Sequence, residues 1–581
     1  MVVGGLRARH RVAQDAAQRA ARVVRAALTD RWTGSDRSAA VQTGVANAAG
    51  IGRDIRPCSV WSAPATFCLL VTAVGAMLRL HHLGELPAWR DETVVYWLGE
   101  ESLGRLLSRD LALTGTHPPL FYLVHYVWNH LMAPLGIAPG AAAVRLPSVL
   151  IGTLSIPLFY GMLGRCFGDR VAAIGATFLA VSPAHVAFSR TAKSEVLVVF
   201  FLIAVLGFAV RLLDRIENSV GAGENLSDLW RDRGFLALAV CYVFSADALL
   251  HTHSMGFIGL FLPSILFMDR FLNHRLAPSS VLTWTVVNLV AVAVFIPWLR
   301  LLLEISRSNT GYYWLAPVDI NQVVSGILYV LFDVPAPQGD QTPLVARIGG
   351  ALFAAVLVVV GCFRACRNDP RRRGIAAALV LLPALFLGVS LLKPVFLDYI
   401  LMTMALPLIA LLTGFALEAP SRGRGALATG LAALSLFLLP AEQQVYGGTP
   451  EPWDKVAAYL SEHAGDDDAV LFWPPLGEWS TRFYWRHDSS RWRTIDLGPG
   501  VDFQPLRTVP ALPVAAVPEF VRNARRVWLV TDERIAPNAH ALPELRATLS
   551  ARLPFATSEQ FASGLTVFSY SVEPSQAEKR P

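Results

Sequence analysis

Apolar residues fill most of this chain in long unbroken blocks, with polar positions gathered into short connections between them. Blocks of the length needed to cross a hydrocarbon core, about 20 residues at 1.5 Å each, fall near 62–80, 143–163, 171–188, 195–213, 234–250, 254–270, 281–300, 347–363, 375–392, 398–417 and 425–441. From Tyr446 onward the pattern changes, and charges, Trp and Pro interleave with short apolar runs. Trp453–His463 has helical spacing with an acid in its first turn, while 467–473 (DDAVLFW), 525–532 (RRVWLVTD) and 565–572 (LTVFSYSV) read as strands. These patterns predict a mainly α fold, a polytopic membrane helical bundle of about 11 spans over 58–441, followed by a soluble α/β domain over 442–581. Residues 1–57 lack the continuous apolar core of a secretory signal and read as a basic, poorly ordered cytoplasmic tail.

Composition agrees: 54% of the 581 residues are hydrophobic and only 16% charged, against about 25% charged in an ordinary soluble chain. A soluble enzyme is thereby excluded. The net charge of +6 is accounted for by residues 1–56 alone, with ten Arg against four Asp, so no nucleic-acid partner is expected. The six Cys lie in or beside apolar blocks and offer no disulfide framework or paired zinc ligands.

Short cytoplasmic connections carry an excess of Lys and Arg. With the N-terminus inside, the inner connections are 164–170, 211–233, 269–280, 364–374 and 418–424, every one containing Arg. The outer ones are then 81–142, 189–194, 251–253, 301–346 and 393–397, with the tail outside too. This parity requires that 117–133 lie in the interface without crossing, which its Pro118–Pro119 pair and interspersed His and Asn favour.

Ionisable groups at the mouths of spans are costly and therefore candidates for function. Asp91 and Glu92 adjoin in the first outer loop; on a helix they point about 100° apart, so one of them faces any given site, and a solvated acid pair is the alternative. His117 begins HPPLFY and Arg145 opens the next span; each is also ordinary helix punctuation or a snorkelling cation. Arg190, Lys193 and Glu195 crowd the tip between two apolar spans, as an anion clamp with an acid or base or as an interfacial charge cluster. His251 and His253 suit either metal binding or interfacial hydrogen bonding. The segment 301–346 reads as a lid or as an aromatic belt, and the tail's Trp473, Trp479, Trp485 and Trp492 as a carbohydrate-stacking surface or as core.

The ordered set of an Asp-Glu in the first outer loop, HPPLFY, RLPSVLIGTLSIPLFYGMLGRCFG and AAIGATFLAVSPAHVAFSRTAKSEVLVVFFLIAV resembles the GT-C superfamily of polyprenyl-phosphate-sugar-dependent glycosyltransferases, most nearly its protein-mannosyltransferase and aminoarabinose-transferase branch. The resemblance is strong over about 80–215, weaker through 250–440, and architectural in the tail. It implies an inner (plasma) membrane enzyme that transfers a sugar, with inversion, from a polyprenyl-phosphate donor to an acceptor hydroxyl of an envelope lipid, glycan or protein. Asp91 would be the base, with Glu92 beside it and Glu195 the second-loop acid; Arg190 and Lys193 would face the lipid phosphate. His117, Arg145, His253, Lys393 and Tyr399 complete the implied binding set, although Asp398 stands where the family usually has Arg. Branches differ in their need for a divalent metal, and no metal ligand is assigned. The competing classes are a lipid-sugar flippase, for which repeated halves and midplane charges would be expected, and a non-catalytic lipid-binding protein.

Overall fold

The computed structural model describes residues 63–109, 117–221, 226–273, 275–308, 318–332, 344–392, 396–418, 451–473, 475–485, 491–496, 511–532 and 541–572. The basic tail 1–57, Lys393 and the expected span 425–441 lie outside these residues.

Each of the other expected spans falls on a helix. We label the longer helices α1 (Ala63–Leu80), α2 (Arg90–Glu100), α3 (Leu120–Met132), α4 (Ala141–Phe167), α5 (Asp169–Val181), α6 (Pro183–Ser189), α7 (Glu195–Gly221), α8 (Arg233–Leu250), α9 (Gly256–Leu272), α10 (Ser280–Ser308), α11 (Ile320–Phe332), α12 (Leu344–Asn368), α13 (Pro370–Ser390) and α14 (Asp398–Leu417). Among the described residues six of them, α4, α7, α8, α10, α13 and α14, are long and apolar enough to cross a membrane, and the bent pair α5–α6 makes a seventh. The count of eleven expected from apolar blocks is therefore not reached by length and composition, because blocks such as 254–270 sit on shorter helices. With 13 residues, α3 extends only about 20 Å and is too short to span.

The bundle is organised around α14, whose side chains are buried on every face from Ile400 to Ala416, as expected of a helix that is apolar all round. It packs against α5 and α12; a Cβ at Gly361 would overlap the Leu412 carbonyl, so glycine allows this close approach.

At one end of the bundle, residues of four expected inner connections meet in ion pairs. Arg270 reaches Asp214 at 2.8 Å, Arg373 reaches Asp269 at 2.7 Å, and Arg372 holds Glu418 at 2.5 Å. At the other end the chain bends by 61° between α5 and α6. Pro183 cannot continue the α5 ladder, and the carbonyls of Leu179 and Ala180 that lose their helical donors accept from the fully buried Arg79 at 2.9 and 3.1 Å. Arg79 also contacts His185 Nδ1 at 2.7 Å and donates to Ser189 Oγ at 3.1 Å, which ties α1 to the bend.

The tail holds α15 (Trp453–His463), β1 (Ala469–Trp473), α16 (Leu476–Tyr484), β2 (Trp492–Asp496), β3 (Ala511–Pro513), β4 (Arg526–Asp532), α17 (Ala541–Ser550), β5 (Phe555–Phe561) and β6 (Leu565–Ser571). Its six strands form one sheet in the order β3-β2-β1-β4-β6-β5. The first four are parallel and β6 and β5 antiparallel. Trp453, Trp473, Trp492 and Trp528 fill the two layers flanking the sheet, and Trp479 is buried against α2. The tryptophans are therefore core; of those named as a stacking surface, only Trp485 is partly exposed.

Candidate active site

Three connections converge at the end of the bundle that carries the bend: the N-terminus of α2, the tip between α6 and α7, and the start of α14. Lys193 is the point where they meet. Its Nζ lies 3.4 Å from Asp91 Oδ2 and 3.5 Å from Glu195 Oε1, and stands over the rings of Trp89 at 5.1 Å and Tyr399 at 4.9 Å. Burial alone would lower the Lys193 ammonium, but Glu195, Tyr399 and Asp91 outweigh it and raise it, so the group is a fixed cation. Burial would likewise raise the Asp91 carboxyl; Lys193 and Arg90 outweigh it and hold the carboxyl below the usual carboxylate range. Asp91 keeps 39% of its side chain exposed, whereas Glu195 is buried and its Oε2 has no hydrogen-bond partner.

Glu92, one residue on, has a different environment. It is fully buried, accepts from Arg145 Nε at 2.8 Å and Nη2 at 2.7 Å, and also from the backbone N–H groups of Ala192 at 2.9 Å and Trp89 at 3.3 Å. The remaining Arg145 donors go to the carbonyls of Leu83, Leu86 and Pro87, each at 2.9 Å. Arg145 thus has no N–H left for a phosphate, and the expectation that it faces one is corrected: it staples the first loop to α4. Arg190 is likewise turned inward. It donates to the carbonyls of Arg79 at 2.9 Å, His82 at 3.3 Å and His81, closing the C-terminus of α1. Of Arg145, Arg190 and Lys193, it is Lys193 that lies between Asp91 and Glu195, with Arg90 3.6 Å from the other oxygen of Asp91.

His117 and His253 stack at 4.2 Å, with Ser254 Oγ 3.3 Å from His117 Nδ1 and the Met255 N–H donating to His253 Nδ1 at 3.0 Å. Burial and the nearby Lys193 charge lower His117 to about 4 against the pull of Asp91. Burial, His117 and Lys193 lower His253 as well, so both rings are neutral at pH 7. Among the described residues no three His, Cys, Asp or Glu side chains gather as metal ligands. Tyr399 is present beneath Lys193, and Asp398 accepts from the Tyr399 N–H at 2.7 Å.

Sequence reasoning missed two neighbours. Tyr122, buried in the first turn of α3, has its hydroxyl bonded to the His117 backbone and lies within electrostatic reach of Asp91, Lys193 and Glu195. Trp89 roofs Lys193. Both lie inside the stretches HPPLFY and WRDE, where only the charged residues and His drew attention.

From Ser254, which contacts His117, an apolar cavity of about 680 Å³ runs between α8, α9, α10 and α13, lined by Leu250, Phe257, Phe261, Trp284, Phe295 and Val389 among others.

Residues 116–223 match the family model described as dolichyl-phosphate-mannose-protein mannosyltransferase. No curated protein sequence matches the chain significantly. The fold is similar to that of ArnT from Cupriavidus metallidurans in the apo state, with TM-score 0.59 and 15% identity over 87% of this chain and 98% of that one. It is similar also to the same protein bound to undecaprenyl phosphate, with TM-score 0.56, 15% identity and the same coverage. The match to the mannosyltransferase model thus takes in His117, Lys193 and Glu195 of the cluster but neither Asp91 nor Tyr399, and over most of the chain the fold is similar to that of ArnT.

Proposed function

We propose that the chain is an integral-membrane glycosyltransferase that moves a sugar from a polyprenyl-phosphate donor to an acceptor hydroxyl, with inversion, on the extracytoplasmic face of the plasma membrane. The observation that carries this reading is one partly buried cation, Lys193, held between two carboxylates from different loops, with an apolar cavity that begins at Ser254, the neighbour of His117. The cavity suits a polyprenyl chain and Lys193 the phosphate at its end. That ArnT was crystallised with undecaprenyl phosphate is in keeping with this donor class.

The acceptor hydroxyl gives its proton to an Asp91 oxygen as its own oxygen attacks the anomeric carbon. The bond from that carbon to the phosphate oxygen breaks on the opposite side, and the electron pair leaves with the phosphate. Negative charge then grows where Lys193 stands ready, with no reorganisation needed. Glu195, with one oxygen free and buried, accepts a hydroxyl of the bound sugar. The neutral His117 and His253 pair and Tyr122 wall the site without adding charge.

The test is Asp91→Asn in the full-length protein reconstituted with a panel of polyprenyl-phosphate sugars. Transfer should fall by roughly 10²–10⁴ while the protein remains monodisperse. Near-normal transfer would remove Asp91 as base.

A further inference from the structure

The tail sheet is an open α/β sheet whose strand order reverses between β1 and β4, since the chain passes from β1 to β2 and β3 on one side and returns to β4 on the other. In such sheets the crevice beyond the carboxyl ends of the strands at the reversal is the usual ligand position. Here a segment of the same chain occupies it.

Trp473, the last residue of β1, pairs in register with Thr531, and Asp532 follows at the end of β4. Asp532 is 1% exposed, and its Oδ2 lies 3.4 Å from Nη1 of Arg90, the first residue of α2. Glu451, fixed by the Trp453 indole at 2.8 Å, accepts the Arg90 backbone N–H at 3.1 Å, one of the unpaired donors at the start of α2, and sits 4.0 Å from Arg90 Nη1. The helix leaving β1 completes the clasp. Tyr484 bonds the Ala88 backbone, Ser480 Oγ meets Thr93 Oγ1 at 3.0 Å, and the Trp479 carbonyl accepts the Trp97 indole at 3.0 Å. On its other side the Arg90 guanidinium is 3.6 Å from Asp91 Oδ1, and its Nε makes no hydrogen bond at all.

We propose that Asp532 and Glu451 are positioning residues for sugar transfer: they draw Arg90 into the crevice of the sheet and so hold its Nε at 3.6 Å from Asp91 Oδ1, close enough to attract but not to hydrogen-bond, which leaves the carboxylate without a two-pronged partner. This rests on Asp91 being the base. Without the Asp532 charge only Glu451, at 4.0 Å, holds the guanidinium on the sheet side, and Asp91, at 3.6 Å on its own helix turn, is the nearer carboxylate. A two-pronged guanidinium–carboxylate pair would occupy both oxygens that the acceptor proton needs.

The test is a double-mutant cycle in the full-length reconstituted protein, using the polyprenyl-phosphate sugar that wild type turns over, with undecaprenyl-phosphate mannose as the first probe. Asp532→Asn should lower kcat by about tenfold or more and leave the donor KM within about twofold. On an Arg90→Gln background the same change should alter kcat by less than about twofold, because the guanidinium it frees is gone. Asp532→Glu should recover most of the activity, and Glu451→Gln should show the same kcat-selective loss if Asp532→Asn is not recovered folded. An unchanged kcat per folded molecule, or an equal loss in both backgrounds, would overturn the proposal. Asp91→Asn measured alongside separates the two ideas: an active Asp91→Asn removes the base and this proposal together, whereas an inactive one with equal losses removes the positioning role alone.

Discussion

Glu92→Gln tests whether the two adjacent acids have been told apart. Glu92 accepts four hydrogen bonds, two of them from the Arg145 guanidinium. Glutamine keeps the shape but turns one oxygen into an NH₂. If the NH₂ takes the Oε1 position it meets Arg145 Nε and the Ala192 N–H; in the Oε2 position it meets Arg145 Nη2 and the Trp89 N–H. Donor faces donor in both orientations, and a buried guanidinium loses its counter-charge. Removing one member of a buried pair costs about 3–5 kcal/mol, a large part of a net stability of about 5–15 kcal/mol. Asp91→Asn, by contrast, loses contacts at 3.4 and 3.6 Å to a part-exposed group and should cost no more than about 1 kcal/mol. Thermal unfolding and gel filtration of the detergent-solubilised variants should therefore show Glu92→Gln destabilised or lost and Asp91→Asn intact but inactive. A Glu92→Gln protein as stable as Asp91→Asn, with transfer selectively abolished, would refute the division of labour and return Glu92 to the chemistry.

Lys193→Met keeps the length of the side chain and removes the charge, so transfer at saturating donor should fall by roughly 10²–10³, the range for losing one preorganised stabiliser of developing anionic charge; a loss confined to donor KM would show that Lys193 binds the phosphate equally in ground and transition states. His117 is lowered to about 4 in the fold against an ordinary value near 6.5, so the unfolded chain takes up a proton that the folded chain refuses. Stability should be unaffected above about pH 6.5 and decline as pH falls toward 4, and melting temperature against pH should show a shallower decline for His117→Gln; an identical slope in both proteins would contradict the buried neutral ring.

The spans and the tail's principal strands were legible because their signals are local. An apolar block of sufficient length, or a short apolar run bounded by turn residues, needs no knowledge of what it packs on. The roles of individual charges were not legible in this way. Asp91 and Glu92 share one helical turn, and what separates them is Arg145, 53 residues away, and the Ala192 N–H, 100 residues away. Arg145 and Arg190 carry the signature of phosphate-facing cations at span mouths, yet Arg145 donates to Glu92 and three backbone carbonyls and Arg190 to the carbonyls at the end of α1, and a carbonyl has no sequence identity. The tail's tryptophans illustrate the same limit: their number suggests either a sugar platform or a core, and only the sheet register decides which way they face.

The tail's contribution shows most clearly in a chain ending near Gln443. If the tail merely selected acceptor, such a chain would still turn over donor slowly. The packing argues otherwise. Trp479 and Phe483 belong to the same buried cluster as Val95, Tyr96, Leu98, Phe121 and Tyr122, and Phe483 meets Tyr96 edge-on at 5.1 Å. Each large side chain withdrawn from such a cluster forfeits about 1.5–3 kcal/mol of burial. The 11-residue α2 is too short to hold its shape alone in water, and it would also lose Glu451 and Tyr484 at its N-terminus. The Arg145–Glu92 staple would then hold one point of the loop without fixing its direction, and Asp91 would leave its place beside Lys193. The truncated protein should therefore insert and stay soluble in detergent, because α4 to α14 pack without the tail, yet release no polyprenyl phosphate from donor even when no acceptor is supplied. Slow but measurable release would mean that α2 keeps its course without the sheet, and the tail's part would be reduced to acceptor choice.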